Sequence, residues 1–227
     1  MKIVLQTFNR DMNVWYRNIM MQLRSMSFDI VVVEGGKSEE AVFRERPESW
    51  DREVTVIHMK QNVFEYTSFI AIHKYNNNPL VLSDMYFFLH DTCVLGKEFE
   101  ERLLFCKEIL GPQFDYAPIG INRKLAQGYP NKFKTKFNIC VCTSRFMNHK
   151  SFEDFDCDMD KKTAVKIELG AHPMSLRNFE GIKVNHNVIS QVKQDKGFKP
   201  INGSLRNHNY IGIIDLHKYV SKAFLKK

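Results

Sequence analysis

The stretch Asp84-Met85-Tyr86-Phe87-Phe88-Leu89-His90-Asp91-Thr92-Cys93-Val94-Leu95-Gly96 decides how the chain is read. Met85 to Leu89 is a short run of large apolar and aromatic side chains, which predicts a buried strand. The run is too short to span a membrane. His90, Asp91 and Thr92 follow at once, where a buried strand gives way to a loop. In open α/β sheets ligands sit outside the carboxyl ends of the strands. A carboxylate and an imidazole therefore stand where a ligand or a metal ion would be held. The plainer alternative is a His-Asp pair that caps the next helix.

The sequence on either side of this stretch has the matching pattern. Lys2 to Gln6 reads as a short buried strand, and Thr7-Phe8-Asn9-Arg10-Asp11 as the loop after it. Val14, Trp15, Ile19, Met20, Leu23 and Met26 recur at helical spacing and predict an amphipathic helix over 14–26. Ile30 to Val33 is an unbroken β-branched run, as expected of a parallel strand buried on both faces. It ends in Glu34-Gly35-Gly36. The glycines admit close approach of backbone to a ligand, and Glu34 is placed to accept hydrogen bonds from a ribose or a base, unless this is a glycine turn with a solvated carboxylate. Lys37 to Glu53 is polar and reads as a short helix plus loop. Val54 to Ile57 is a third strand. Asn62 to Tyr75 predicts a helix stopped by Asn76-Asn77-Asn78-Pro79, and Glu98 to Leu110 another stopped by Gly111-Pro112. Strand and helix thus alternate at least three times in the first 110 residues, the mark of a parallel α/β sheet.

The remainder is less regular. Phe114 to Pro130 reads as loop, Asn138 to Thr143 as a strand, and Tyr210 to Leu216 as a last strand or the start of a helix. Cys140 and Cys142 lie two apart in a strand-like run and predict a buried pair on one face rather than a metal site. The acidic cluster from Glu153 to Asp160 lacks the glycine and closing glutamate of a calcium loop and reads as a solvated turn.

Bulk properties bound the function. At 227 residues and 44% hydrophobic, with 18 Phe, the chain can build an aromatic-rich core. Its net charge of +7, from 33 basic and 26 acidic side chains, suits an anionic ligand such as a nucleotide diphosphate. No Arg-rich run or nucleic-acid signature accompanies that charge, so no nucleic-acid partner is expected. Five cysteines without small-scaffold spacing predict a reducing compartment. Met1-Lys2 leads straight into a strand, which predicts no leader. No apolar run approaches membrane-spanning length. The expected location is cytoplasmic, in the host if the source is a virus.

These segments resemble, in order, the nucleotide-sugar-binding half of GT-A glycosyltransferases. Thr7-Phe8-Asn9-Arg10 is similar to that family's T-x-N-R loop beside the nucleotide. Glu34-Gly35 falls where the family carries an acidic residue near the uridine. Asn62 to Ala71 looks like the helix before the metal motif, and Phe87 to Thr92 stands where the family has its hydrophobic strand and D-x-D. The resemblance covers roughly half the chain. It implies one GT-A-like, Rossmann-like domain over 1–227, with a mostly parallel sheet flanked by helices. Residues 1–110 would be the nucleotide-sugar half, and the less regular 111–227 the acceptor half.

By the same resemblance the donor is a nucleoside diphosphate sugar, most readily a UDP-sugar, and the acceptor a glycan or glycoprotein. Thr7, Phe8, Asn9, Arg10, Glu34, Gly35, Asn62 and His90 would hold the donor. Asp91 would bind Mn²⁺ or Mg²⁺ against the diphosphate. The departure is that His90-Asp91-Thr92 has one carboxylate where D-x-D has two. A distant histidine would then complete the ion's ligands, with His208 carried forward from His172, His186 and His208; otherwise lysine and arginine neutralise the diphosphate. Glu153 and Asp154 are the nearest candidates for the general base of an inverting transfer; a retaining one needs none. Two rivals stand beside this reading. A sugar nucleotidyltransferase would want a glycine-rich loop after the first strand, and a non-catalytic basic module would bind anionic polymers.

Overall fold

The computed structural model describes residues 1–63, 66–110, 113–119, 139–153, 180–183, 204–205, 208–211 and 214–219. Its centre is a seven-stranded sheet. The strands are β1 (Lys2–Phe8), β2 (Asp29–Gly35), β3 (Ala41–Glu45), β4 (Val54–Met59), β5 (Met85–His90), β7 (Tyr116–Pro118) and β8 (Cys140–Thr143), in the order β3-β4-β2-β1-β5-β8-β7. β4, β2, β1 and β5 run parallel, β3 and β8 run against them, and β7 opposes β8. Five of the seven strands therefore point one way. This is the mixed α/β fold expected from the alternation of elements. A smaller antiparallel sheet joins β6 (Cys93–Leu95), β9 (Ser204–Leu205), β10 (His208–Ile211) and β11 (Leu216–Tyr219) in the order β6-β11-β10-β9.

Two apolar layers cover the sheet because the strand residues alternate between faces. On one face Ile3, Leu5, Ile30, Val32, Val56, Phe87 and Leu89 pack against α1 (Val14–Leu23) and α3 (Phe99–Leu110). On the other, Val4, Val31, Val33, Ile57 and Phe88 pack against α2 (Tyr66–Lys74) and the short α4 (Ser144–Met147). Phe69 of α2 stacks on Phe88 with ring centroids 3.9 Å apart. Cys140 and Cys142 share this second layer, buried as free thiols.

Asn13 caps α1 by accepting from the backbone N–H groups of Trp15 and Tyr16, at 3.0 and 3.3 Å. Further along α1, Gln22 exchanges two hydrogen bonds with Leu95 and ties the helix to β6, each 3.0 Å. The small sheet is pinned at Gly96, whose N–H donates to Asp215 O at 2.7 Å.

Two segments differ from the sequence reading. Lys37 to Glu53 contains an edge strand, β3, rather than a helix. Its half-exposed Val42 and Phe43 are too few to show a period. Tyr116–Pro118 is a strand inside the expected loop, stitched to β8. β7 and β8 also show that residues beyond 110 complete the same sheet. The expected strand at Tyr210 to Leu216 resolves into the ends of β10 and β11.

Candidate functional site

Strand order places the site. From β1 the chain passes through α1 to β2 on one side; from β4 it passes through α2 to β5 on the other side of β1. Keeping one crossover hand while moving in opposite directions puts the two helices on opposite faces. That is how α1 and α2 lie. The carboxyl ends of β1 and β5 are therefore the topological switch point, where a crevice opens in folds of this kind.

The four parallel strands end there at Phe8, Gly35, Met59 and His90. Register sets Thr7, Glu34 and His58 side by side on the α1 face and Gln6 beside His90 on the α2 face. Phe8 stands at the rim with 55% of its surface exposed. Its ring lies against Gly36, where an added Cβ would sit 2.9 Å from Phe8 Cε2; Gly36 has φ +80°. Gly35 is passed as closely by the chain before α2, since a Cβ there would meet Gln61 O at 2.7 Å. Exposed Asn62 completes this cradle.

Two charged groups organise the loop after β1. Asn9 takes the left-handed conformation, φ 55°, and turns Arg10 back over β2. Glu34 is 1% exposed, and its carboxylate accepts from Arg10 N at 3.0 Å, Arg10 Nε at 2.9 Å and Lys37 Nζ at 2.8 Å. His58 Nε2 lies 3.4 Å away. Burial alone would raise the Glu34 pKa; the Lys37 ammonium and the Arg10 N–H and guanidinium outweigh it and hold the carboxyl below its usual range. Arg10 also bridges to Glu45 at 3.0 Å. Burial holds the His58 imidazole below its usual range. The donors that sequence reading reserved for a ribose or base at Glu34 are thus supplied by the protein itself.

Asp91 lies just past β5, partly buried on the α1 face. Its Oδ2 accepts from Thr7 Oγ1 at 2.8 Å and Asn13 Nδ2 at 2.6 Å. Its own N–H donates to Gln6 O at 3.1 Å. Burial raises its pKa, against the lowering effect of these hydrogen bonds. Among the described residues no three His, Cys, Asp or Glu side chains stand together to hold a metal ion. Oδ2 of Asp91 is thus already engaged by two protein donors.

The other expected site residues fall elsewhere. β8 runs against β5, so the chain leaving it emerges at the amino edge of the parallel strands, where Ser144 N–H donates to Asp84 O at 3.0 Å. Glu153 follows the single turn Lys150–Phe152, whose Phe152 packs in the layer on the α2 face, whereas Thr7, Glu34 and Asp91 lie on the α1 face. A hollow of ≈ 630 Å³ beside α4 lies on the same far edge, with Arg145 and His149 both bonded to 180–181. His208 is on β10, two strands across the small sheet from β6, roughly 10 Å by strand spacing. Asp154, His172 and His186 lie outside the described residues. Asn13, Lys37 and His58 were not singled out from sequence, whereas Gly36 was, with Gly35. An Asn directly before an apolar helical run was the available signal for Asn13.

Fold and site together define a mixed α/β protein with a cluster of polar residues and an exposed aromatic at its switch point. No protein-family model matches the chain, and no curated protein matches it in sequence. Among solved structures it is similar to the apo-form glycosyltransferase GlyE of Streptococcus pneumoniae TIGR4, at 8% identity with a TM-score of 0.38. That match covers 87% of this chain and 48% of the other, so the chain spans about half the length of that protein. A likeness at this level says nothing of activity.

Proposed function

We propose that the chain is a glycosyltransferase that takes a sugar from a nucleoside diphosphate donor, a UDP-sugar foremost, and passes it to a glycan or protein-linked acceptor. The observation that carries this reading is Phe8. A large aromatic side chain left 55% exposed at the switch point, with its ring edge against a glycine, offers a face on which a base can stack. Gly35 and Gly36 let the ligand approach the backbone, while exposed Asn9 and Asn62 offer amides for the ribose or base. Lys37, whose side chain is 31% exposed, brings positive charge to the same rim. The resemblance of Thr7 to Arg10 and of Glu34-Gly35 to the nucleotide loop of GT-A enzymes supports the reading. In it Glu34 shapes the loop through Arg10 rather than meeting the nucleoside. A sugar nucleotidyltransferase is less favoured, because residues 7–10 contain no glycine.

The test is thermal unfolding with nucleoside diphosphates and their sugars, with EDTA and with Mn²⁺. A ligand at 100 times its Kd adds about 2.7 kcal/mol to the native state, a rise on the order of 5–10 °C for a chain of this size. UDP and at least one UDP-sugar should give that rise. Phe8→Ala should weaken UDP roughly 5- to 150-fold, as expected for one lost stacking contact. No response to any nucleoside diphosphate would remove the reading.

A further inference from the structure

We infer that Asp91 is a positioning residue: with Thr7 and Asn13 it clamps the β1 exit and α1 so that Phe8 is held in place for the nucleotide. The inference rests on the proposed function for its ligand and on the geometry for the clamp. Oδ2 takes the Thr7 hydroxyl at 2.8 Å and the Asn13 amide at 2.6 Å. Two protein donors thus converge on this one carboxylate oxygen.

The same contacts reach the platform. Phe8 directly follows Thr7, and its carbonyl O lies 3.5 Å from Asn13 Nδ2. The exposed aromatic is therefore tied to the cluster through its chain neighbour and its own carbonyl. The other end of the Asn13 amide caps α1 through Trp15 and Tyr16. Asp91 thereby joins three elements that meet at the switch point: the end of β1, the start of α1 and the end of β5. A divalent ion on Oδ2 would have to displace the two donors that fix the loop. The clamp thus gives the lone acidic side chain of His90-Asp91-Thr92 a role that does not call for the missing second carboxylate.

The experiment compares wild type, Asp91→Asn, Thr7→Val and the double variant by calorimetric titration with UDP, in EDTA and in Mn²⁺. Hydrogen exchange at the Trp15 and Tyr16 amides is read in parallel. The expected result is UDP binding in EDTA that each single variant weakens about tenfold, with the double variant no worse than the stronger single, since clamp members couple rather than add. Exchange at Trp15 and Tyr16 should rise about tenfold in both singles, with distant α3 amides unchanged. Asp91→Asn keeps the shape of the side chain, and Thr7→Val reports on the clamp if Asp91→Asn does not fold. Binding that requires Mn²⁺, is abolished by Asp91→Asn and is untouched by Thr7→Val would overturn the inference and make Asp91 an ion ligand. If wild type ignores UDP altogether, the proposed function falls by itself. The exchange measurement still decides the clamp, and unchanged Trp15 and Tyr16 amides in both singles would overturn it.

Discussion

Glu34 shows how burial turns a side chain that looks ligand-ready into an internal anchor. Its carboxylate holds Arg10 and Lys37 while only 1% exposed. Removing its charge leaves Lys37 without this partner and the largely buried Arg10 with Glu45 alone, so Glu34→Gln should cost about 3–5 kcal/mol at neutral pH, read by denaturant unfolding. The pH dependence follows from the depressed folded-state pKa. Such a group contributes stability above its ordinary value of 4.5, and that contribution drains away as pH falls further through the folded value. The stability gap between wild type and Glu34→Gln should therefore close as pH drops below 4.5; a gap that stays constant to pH 3 would contradict the ion-pair account. Gly36 is a second test at this scale. At φ +80°, with Phe8 Cε2 where a Cβ would go, Gly36→Ala should lose about 1–2 kcal/mol and weaken any ligand that stacks on Phe8.

Helix α1 owes its start to one side chain. Asn13 supplies the cap, and the buried stripe Tyr16, Ile19, Met20 and Leu23 holds the helix to the sheet. Asn13→Ala should cost about 1 kcal/mol from the cap alone, and more because Asp91 loses a donor; unfolding midpoints check this, and a loss below a few tenths would refute the cap. Strand β3 is the opposite case. Ala41 to Glu45 pairs with β4 and, among the described residues, stands at the edge of the sheet. Its pairing partner lies beyond it in sequence, among charges that mask the alternation. Propensity alone therefore favours helix or loop there, and only the ladder to β4 makes it a strand.

At the scale of the molecule, the sheet separates two buried apolar layers. Phe69 on Phe88 and Phe87 beside Phe99 fill them with aromatic rings, as the 18 Phe led one to expect. Phe88→Ala should cost about 3–5 kcal/mol, because the stacked ring cannot be replaced by collapse around it. Cys93, Cys106, Cys140 and Cys142 lie within these layers as free thiols. Burial raises the pKa of the last three, Cys106 to about 12. The four should resist alkylation in the native protein and react only on unfolding, read by peptide mapping after iodoacetamide. Labelling of Cys140 or Cys142 without unfolding would show that the second layer opens.

The sequence by itself determined the parallel α/β core. Apolar runs such as Ile30 to Val33 and Phe87 to Leu89 are local signals, and burial on both faces leaves no other way to place them. It also pointed to the neighbourhood of the site, because Thr7 to Arg10, Glu34 and Asp91 each follow a strand. Only the tertiary structure decided that β1 and β5 are neighbours, that Glu34 is consumed by Arg10 and Lys37, and that Asp91 closes on Thr7 and Asn13. Apart from Glu34–Lys37, three positions apart, the side-chain pairings join residues 24 to 84 positions apart. Their donors and acceptors meet through strand order, which no local pattern encodes.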